Sequence, residues 1–554
     1  MNRNTESHFA NNPTVDITRS KFDRSFTCKT TFNTGDLIPI FCDTTIMPGD
    51  TVKMRMSEIV RMMTPIAPVM DNINMDTYFF FVPYRLIWEH FKRFMGENDS
   101  APWIQQTEYE IPQIVAPSAG WKKGSLADYF GYPTEIGNYK ASALPFRAYA
   151  LIWNEWFRDQ NLKNPCYISM GDSDITGTDK TTLGANYDYV TDTEKGAAPC
   201  KAAKYYDYFT GCLPGAQKGP SVPIGMSGIL PVIGTSTNMG QPAKAIDTNL
   251  VDKQLFLTTP SNQTYATVGA RQEPGSSTYN MLTANKTITM GVDMSQAVGA
   301  TVNQLRQAFA IQKFYERQAL GGTRYIEMVK SHFDVTNPDF RMQRPEYLGG
   351  ERIPLNINQV IQSNDSSTST TPLGTTGAYS VTANVNEDLF THSFTEHGIL
   401  LGLAVVRTLH TYQQGLNRMY SKKKMTDFYF PEFANLGNQA VLNKEIYIED
   451  PTGTNYNEEA FGYQEAWACE RYFPDIVTGE MRSNYAQSLD VWHYADDYNS
   501  LPSLGDVWID ETDENVKRTL AVQSHDQMLG DFYFGAIYTR PMPLWSIPGL
   551  IDHH

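Results

Sequence analysis

Apolar and polar residues alternate most regularly near the start of the chain. Residues 51–57 place their apolar side chains on one face of an extended segment and their polar ones on the other, as in a strand buried on one side. Residues 32–41 predict a preceding strand, and Met-Pro-Gly-Asp at 47–50 predicts the turn between the two. Residues 78–82 are aromatic or β-branched, which favours a strand buried on both faces.

Further strands are predicted much later in the chain, each bounded by Gly, Pro or Asn. These later candidates are residues 323–328, 379–385, 398–410 and 532–539. Strands scattered in this way argue against regular alternation with helices and for a mainly β, antiparallel sandwich whose long loop insertions carry helices. A jelly roll is the leading candidate for the fold.

Three helices are predicted inside those connections. The best marked spans residues 302–320, with Thr301 and Gln304 at the spacing of a capping box and Gly321-Gly322 as its end. Residues 144–156 repeat apolar positions at helical spacing, and residues 87–94 do so before Gly96. Helices are therefore expected in the connections between strands and form a minor part of the fold.

One long segment differs in composition from the rest. Residues 225–300 are rich in Ser, Thr, Gly and Asn, with a single Phe and no Trp. A polar segment of this length inside a compact domain predicts a surface insertion. The flanking segments 31–224 and 301–539 then form the main domain, residues 1–30 a locally basic N-terminal arm, and residues 540–554 a Pro-rich C-terminal arm.

The composition leaves two readings of the aromatic content open. Charged residues are 19% of the chain and aromatic residues 12%, which is consistent with extensive self-association or with a large aromatic core. The net charge of -16 means that the whole chain is not a polyanion binder by bulk charge. We expect no membrane insertion, because no apolar run approaches the length of a span.

Motifs for catalysis and cofactor binding are weak. Residues 172–177 open like a calcium loop, but Leu183 stands where the bidentate Glu is needed, so a polar turn is the better interpretation. His392, Glu396 and His397 do not have a zinc-protease spacing. Phosphate-binding loops and nucleophile elbows are missing from the sequence, and six scattered Cys residues predict reduced thiols. We therefore expect no cofactor, no metal and no catalytic residue.

Two basic groups are candidates for nucleic-acid contact. One is a turn in which Tyr412 and Tyr420 stand near four cations, Arg418, Lys422, Lys423 and Lys424. Such a basic and aromatic patch can contact single-stranded nucleic acid or a neighbouring acidic subunit. Tyr420 and Lys424 also have the spacing of a DNA-nicking tyrosine, but without a His pair for the metal a solvated turn is favoured. The other group lies in the N-terminal arm, where a solvated tail is the alternative; it comprises Arg3, Arg19, Lys21, Arg24 and Lys29.

Several ordered stretches together resemble the gokushovirus branch of the microvirus major capsid proteins. They include RSKFDRSFTCKTTFNTGDLIPI from Arg19, FFVPYRLIWEHFKRFMGEN from Phe80, HTYQQGLNRMYSKKK from His410 and RPMPLWSIPGLIDHH from Arg540. The resemblance covers most of the chain outside about residues 170–300. One departure is Leu320, which stands where the family usually has Arg.

The resemblance implies an eight-stranded jelly roll and a structural protein that is not an enzyme. Similar proteins assemble into a T=1 icosahedral shell around circular single-stranded DNA, in the cytoplasm of a bacterial host, and remain in the virion. The resemblance also implies that residues 225–300 form a protrusion at the threefold axes that meets a bacterial surface receptor. Implied partners are other copies of the chain, the packaged DNA, a small basic DNA-packaging protein, a scaffolding protein and a minor DNA-pilot protein.

Two other function classes remain as alternatives. A jelly-roll enzyme acting on carbohydrate or using a metal is compatible with the fold, since a fold does not fix a function. It would need a group of side chains with catalytic spacing, which the motif search does not supply. A secreted lectin or adhesin would suit the polar insertion, but a secretory signal is missing from the sequence.

Overall fold

The computed structural model of the chain describes residues 18–97, 109–180, 187–220, 222, 232–236, 270–272, 279–281, 288–292, 302–356, 358–361, 376–379, 381–453 and 456–545. The chain divides into two compact units. The first is formed by Met1–Lys218 together with Glu316–His554, and the second by Gly219–Tyr315. The second unit contains the segment 225–300 whose composition predicts an insertion.

The described strands are numbered in chain order. Those before the second unit are β1 (Ser20–Asp23), β2 (Phe26–Phe32), β3 (Ile38–Ile46), β4 (Thr51–Met62), β5 (Ile73–Pro83), β6 (Gln113–Val115), β7 (Lys140–Ser142) and β8 (Ile175–Thr176). Those of the second unit are β9 (Val232–Ser236), β10 (Ala270–Gln272), β11 (Tyr279–Met281) and β12 (Ile288–Val292). Those after it are β13 (Glu346–Pro354), β14 (Gln359–Ile361), β15 (Thr376–Tyr379), β16 (Thr382–Ser393), β17 (Gly398–Thr408), β18 (Gln439–Leu442), β19 (Ala460–Gln464) and β20 (Met528–Arg540).

The described helices are mostly short. They are α1 (Phe91–Phe94), α2 (Leu126–Tyr129), α3 (Leu144–Ile152), α4 (Tyr189–Asp192), α5 (Val302–Leu320), α6 (Tyr325–Phe333), α7 (Asp339–Met342), α8 (Asn443–Ile446) and α9 (Glu514–Thr519). Helix α3 continues into a π-helical turn, Trp153–Phe157. In the part of the chain that the structure describes, no helix is both long and apolar enough to cross a membrane.

Two antiparallel sheets form the centre of the first unit. One has the order β1-β20-β4-β16, with β2 pairing alongside β20, and the other has the order β13-β5-β17-β3. All strand pairs within these two sheets are antiparallel. The prediction of a mainly β protein with antiparallel sheets is confirmed.

The main core lies between the two sheets. Strand β4 alternates along its whole length, so that Met54 and Met56 are buried while Lys53 and Arg55 are exposed. Its buried face joins one apolar cluster with residues of β20, β5 and β17. Burial of one face only is what the alternating pattern of β4 predicts.

The second sheet is buried on both faces. In β5, Phe79 and Phe81 belong to the core between the sheets, whereas Phe80 and Val82 belong to a second cluster. That second cluster includes six of the nine residues of α3, so the loop helices cover the far side of the sheet. This explains why β5 and β17 have continuous apolar sequences and not alternating ones.

Several predicted elements are confirmed with shifted ends. Strands β4, β5, β17 and β20 occupy the predicted regions 51–57, 78–82, 398–410 and 532–539. The turn at 47–50 is present, closed by a 3.0 Å hydrogen bond from the Asp50 N–H to the Met47 carbonyl. Helix α5 has the predicted bounds of 302–320; Thr301, the predicted cap, lies outside the described residues.

The prediction of one strand over 32–41 is wrong. Strand β2 ends at Phe32 and β3 begins at Ile38, with a turn between them in which Gly35 has φ +83°. A Cβ at Gly35 would lie 2.2 Å from the Glu511 carbonyl oxygen. Backbone contact from a distant loop therefore fixes this turn, and a local apolar pattern cannot reveal it.

Two other strand predictions also need correction. The segment 323–328 is not a strand, because α6 begins at Tyr325, where the Glu327 carboxylate accepts a hydrogen bond from the Arg324 N–H at 3.2 Å. The segment 379–385 belongs to two strands, β15 and β16, which pair in different sheets. In the predicted helix 87–94, only Phe91–Phe94 is α-helical, preceded by a 3-10 turn at Tyr84–Leu86.

Candidate nucleic-acid interface

The basic residues 418–424 lie in a tight turn after β17. The turn begins at Asn417, whose side-chain oxygen accepts a 3.0 Å hydrogen bond from the N–H two residues ahead. It ends at Asp427, whose carboxylate accepts hydrogen bonds of 2.8 Å from the N–H groups of Lys423 and Lys424. These two backbone hydrogen bonds lower the pKa of Asp427. The backbone of the turn is therefore held by side chains of its own segment.

Arg418 points into the protein. It donates a 2.8 Å hydrogen bond to the Ala440 carbonyl and lies 3.4 Å from the carboxylate of Glu445, which is 2% exposed. The Tyr208 hydroxyl donates to the same carboxylate at 2.8 Å. Burial raises the pKa of Glu445, while the Leu442 N–H and the charge of Arg418 oppose the rise. Arg418 thus compensates a buried anion and anchors the turn.

The three lysines of the turn have different environments. Lys422 forms an ion pair with Glu470 and lies 5.0 Å from the centre of the Phe428 ring. Lys423 and Lys424 are exposed. The turn therefore presents two lysines to solvent, fewer than the four cations that the sequence offered.

Exposed aromatic side chains lie in this turn and in a second loop that lines a cavity together with it. Tyr420 is 71% exposed and Phe473 is 64% exposed. A cavity of about 190 Å³ beside the turn is lined by Asn417, Met419, Cys469, Glu470, Arg471, Tyr472 and Phe473. Aromatic rings next to cations are the elements from which proteins build single-strand binding surfaces, because bases stack on the rings while the cations contact phosphates.

Two features of this surface could not be read from the local sequence. Tyr412, which the sequence places near the basic turn, is only 5% exposed, and its hydroxyl donates to Asp207 at 2.5 Å. The partners that replace it, Arg471 to Phe473, come from a loop about 50 residues further along the chain. No motif links the two segments.

The N-terminal candidates fall into three groups. Arg3 lies outside the described residues, while Arg19 and Lys21 are exposed at the start of β1. Arg24 is engaged: it contacts the buried Asp43 at 2.5 Å and lies 4.7 Å from the centre of the Tyr538 ring. Although burial disfavours the charged form of Asp43, hydrogen bonds from Tyr538 and Thr45, together with the charge of Arg24, lower its pKa.

Lys21 and Lys29 lie on the solvent face of the first sheet, where strand pairing brings further cations alongside. Lys53, Arg55 and Arg61 point to the same face from β4. Acidic residues interrupt the face, with Asp531 3.9 Å from Lys29 and Asp388 2.8 Å from Lys53. Strands 20–23 and 26–32 also place the second half of the predicted N-terminal arm within the sheet.

Acidic side chains of the weak metal motifs form hydrogen bonds and ion pairs with other protein groups. Asp172 accepts a 2.6 Å hydrogen bond from the Trp88 indole, and Asp174 contacts Lys140 at 2.7 Å. Glu396 forms a bidentate pair with Arg85, at 2.6 and 3.0 Å. No group of three metal-ligating side chains is found among the residues that the structure describes.

Comparison with known proteins identifies the family. The model of the family described as capsid protein (F protein) matches residues 10–550. The capsid protein VP1 of Bdellovibrio phage phiMH2K is 41% identical over 551 residues, which cover 99% of this chain and 98% of that protein. The VP1 capsid proteins of Chlamydia phage 1 and Spiroplasma virus 4 are 37% and 38% identical, each over at least 96% of both chains.

These matches span nearly the whole chain, including the basic turn and both principal sheets. They confirm the resemblance to gokushovirus capsid proteins and exclude the enzyme and lectin alternatives, because the family is structural. The chain belongs to the capsid protein (F protein) family of small bacteriophages.

Proposed function

We propose that this chain is the major subunit of a closed T=1 icosahedral shell that encloses a circular single-stranded DNA genome. The proposal is supported by membership in a capsid family over residues 10–550 and by the many exposed aromatic and apolar side chains of the first unit. A closed shell needs repeated contacts between copies, and buried aromatic surface is typical of such contacts. The subunit belongs to the virion after assembly in the cytoplasm of the bacterial host.

We further propose that the eight central strands form a viral jelly roll. When β2, β3, β4, β5, β13, β16, β17 and β20 are numbered one to eight, one sheet has the order 1-8-3-6 and the other 2-7-4-5. This order is expected when two Greek keys interlock. It is the observation that most favours the jelly roll over other antiparallel sandwiches.

The charge of the chain supports the presence of a second protein that neutralises the DNA inside the shell. A subunit at -16 cannot neutralise packaged DNA by bulk charge, so a small separate basic protein is expected with the genome. A scaffolding protein and a minor DNA-pilot protein are proposed partners in assembly. The insertion 225–300 is proposed to face outward near the threefold axes and to meet a bacterial receptor.

Local contacts to the DNA are assigned to the basic turn and to the N-terminal basic residues. In the turn, Lys423 and Lys424 are available for phosphates, and Tyr420 and Phe473 are exposed for base stacking. Arg418 acts indirectly, because its charge is used by Glu445. Arg3, Arg19, Lys21 and Lys29 are the proposed contacts of the N-terminal segment.

Electron microscopy tests the shell. The full-length chain would be produced alone and together with its scaffolding partners, and both preparations would be imaged for particles of uniform diameter. Closed shells with icosahedral symmetry and 60 copies per particle are the expected result for T=1. Monomers alone in both preparations would overturn the proposal.

The DNA contact is tested with a charge-reversal pair. Lys423→Glu with Lys424→Glu should weaken binding of the subunit to an oligothymidylate and should reduce the slope of log K against log salt by about 1.4, since each lost phosphate contact accounts for about 0.7. Lys92→Glu with Lys122→Glu is the matched control, because these are also two exposed lysines and lie outside the turn. Equal effects in the two pairs would mean that net charge matters and the turn does not.

A further inference from the structure

The surface of α6 and α7 is apolar and open to solvent. Five large apolar side chains fall within 21 residues of the first unit, and each is about half exposed or more. They are Leu320 (56%), Tyr325 (64%), Phe333 (71%), Val335 (49%) and Phe340 (57%). Together they form the α6–α7 surface. A concentration of exposed apolar side chains within a short stretch of chain is a common sign of a protein contact.

Helix α6 is held at its first turn. Arg324 donates to the carbonyls of Asn154 and Arg158 at 2.7 and 3.1 Å. The Thr323 N–H donates to the Gln160 side chain at 3.1 Å. The helix itself has nine residues, and none of them is buried.

A helix this short is not stable by itself. Isolated helices below about 12–15 residues are marginal in water, and most of their stability in proteins comes from packing of an apolar face. Six residues of α6 are half-buried and none is fully buried in the isolated subunit, so a partner that covers its exposed apolar side chains would add packing. The exposure of these apolar side chains therefore favours a contact between α6 and a second protein surface.

The charge of the α6–α7 surface indicates what kind of partner fits. Its exposed charged residues are Arg317, Lys330 and Arg341, against Asp334; the other acids of this stretch, Glu327 and Asp339, pair with Arg324 and Arg344 at 3.5 and 3.0 Å. The open surface is therefore basic as well as apolar. Its complement would be acidic and would carry apolar side chains of its own.

The chain itself contains such a complement. Residues 446–514 hold 16 acidic and 2 basic residues, a net charge of -14 out of the -16 of the whole chain. Asp450, Glu458, Asp475 and Glu480 are among the acids of this segment that are exposed. Apolar side chains lie among the acids of the segment, including Ile476 at 59% and Val507 at 77% exposure.

We propose that the α6–α7 surface is a docking site for a second copy of this chain, and that the acidic segment 446–514 of the neighbour covers it. The contact joins different surfaces of the two copies, so it is heterologous and can close into a ring, as a shell requires. It buries apolar groups at its centre, while opposite charges at its rim fix the register. The inference rests on the proposed shell function and adds to it which surfaces meet.

Cross-linking in assembled particles tests the contact directly. Phe333 would be replaced by photo-reactive p-benzoylphenylalanine in the full-length chain, and particles would be assembled from a mixture of this chain and ¹⁵N-labelled wild-type chain. After irradiation, mass spectrometry should find the main cross-link between an unlabelled and a labelled chain, at a peptide within 446–514. Cross-links within one chain, to another part of the neighbour, to a different protein or to DNA would overturn the proposal.

Assembly of variants gives a second, independent measurement. Lys330→Glu with Arg341→Glu should leave the subunit folded, as judged by unchanged circular dichroism and urea midpoint, and should lower the yield of closed shells at least tenfold. Lys92→Glu with Lys122→Glu is the control, because it makes the same change of net charge at two exposed residues outside the α6–α7 surface. A normal yield from the charge-reversal variant would refute the contact. If the wild-type chain forms no shells at all, it is the proposed function that fails.

Discussion

The buried His410 offers the sharpest test of how the loop after β17 is held. Its side chain is 1% exposed, and its two ring nitrogens lie 3.0 Å from the Asp496 carboxylate and 2.7 Å from that of Glu511. Lys204 lies 3.5 Å from the Asp496 carboxylate, which also accepts a 2.7 Å hydrogen bond from the Tyr498 hydroxyl. The imidazolium therefore bridges two buried anions that come from separate loops.

The magnitude follows from the charges. Burial would lower the pKa of His410, but Asp496 and Glu511 outweigh burial and raise it to about 10 from an ordinary 6.5. This difference corresponds to at most about 5 kcal/mol, and breaking a buried pair by removing one partner costs about 3–5 kcal/mol. We expect His410→Gln to lower the free energy of unfolding of the first unit by about 3–5 kcal/mol at pH 6.

The stabilising contribution of His410 should decrease as the pH rises. Because the folded-state pKa lies above the unfolded one, the contribution of His410 is fully present below about pH 6.5 and is lost as the pH rises toward 10. The difference between wild type and His410→Gln should therefore shrink over this window.

Urea denaturation followed by tryptophan fluorescence measures both effects, since Lys204 lies 4.6 Å from the centre of the Trp508 ring in the same cluster. His525→Gln, at an exposed histidine, is the control and should change the free energy by less than about 0.5 kcal/mol. If His410→Gln unfolds within 1 kcal/mol of wild type, or if the difference does not depend on pH, the reasoning about this network is refuted.

Three further changes test other parts of the first unit. Burial and the charge of Glu351 raise the pKa of Glu58 to about 7, so wild type loses stability as the pH rises from about 4.5 to 7, and Glu58→Gln should gain in urea midpoint relative to it above pH 7. Gly35→Ala should lower the free energy of unfolding by at least about 1–2 kcal/mol, because Gly35 has φ +83° and an added Cβ would lie 2.2 Å from the Glu511 carbonyl oxygen. Gly124→Ala, with a similar φ of +77° and open space around it, separates strain from the clash. Deletion of residues 541–554 should leave a folded subunit in circular dichroism and abolish shells in micrographs; normal shells would show that the C-terminal arm is dispensable.

That last deletion must spare Arg540. The residue ends β20 and lies 3.2 Å from the carboxylate of Asp50, which is 0% exposed. Removing Arg540 would leave a buried anion without its cation, a loss of folding stability that would mask any effect on assembly. Within the predicted C-terminal arm, the described residues after Arg540 include the exposed Leu544 and Trp545.

The sheet strands could be predicted because each has a periodicity that burial imposes. Strand β4 alternates because one face meets solvent, and β17 is continuously apolar because both faces are covered. Helix α6 was missed because residues 323–328 include Thr, Tyr and Ile, which favour a strand when the segment is considered locally. Turns such as the one at Gly35 depend on contacts with segments hundreds of residues away.

The candidate interface was predictable only in part, and for a related reason. Clusters of Lys and Arg are visible in a sequence, but whether a cation is free depends on which anion the fold brings to it. Arg418 and Arg24 are used by Glu445 and Asp43, whereas Lys423 and Lys424 remain exposed. The cations beside Lys21 and Lys29 come from β4 through strand pairing, which composition cannot reveal.

The distribution of charge connects folding to assembly. Part of the acidic load in 446–514 is neutralised inside the subunit, since Asp496 contacts His410 and Lys204 and Asp510 contacts Lys163 at 2.6 Å. The acids that remain exposed repel like charges on other copies, so copies that meet acidic face to acidic face are disfavoured. A basic, apolar surface elsewhere on the same chain gives each copy one favourable partner orientation. Because the two surfaces differ, that preference directs assembly toward rings and shells and away from isolated symmetric dimers.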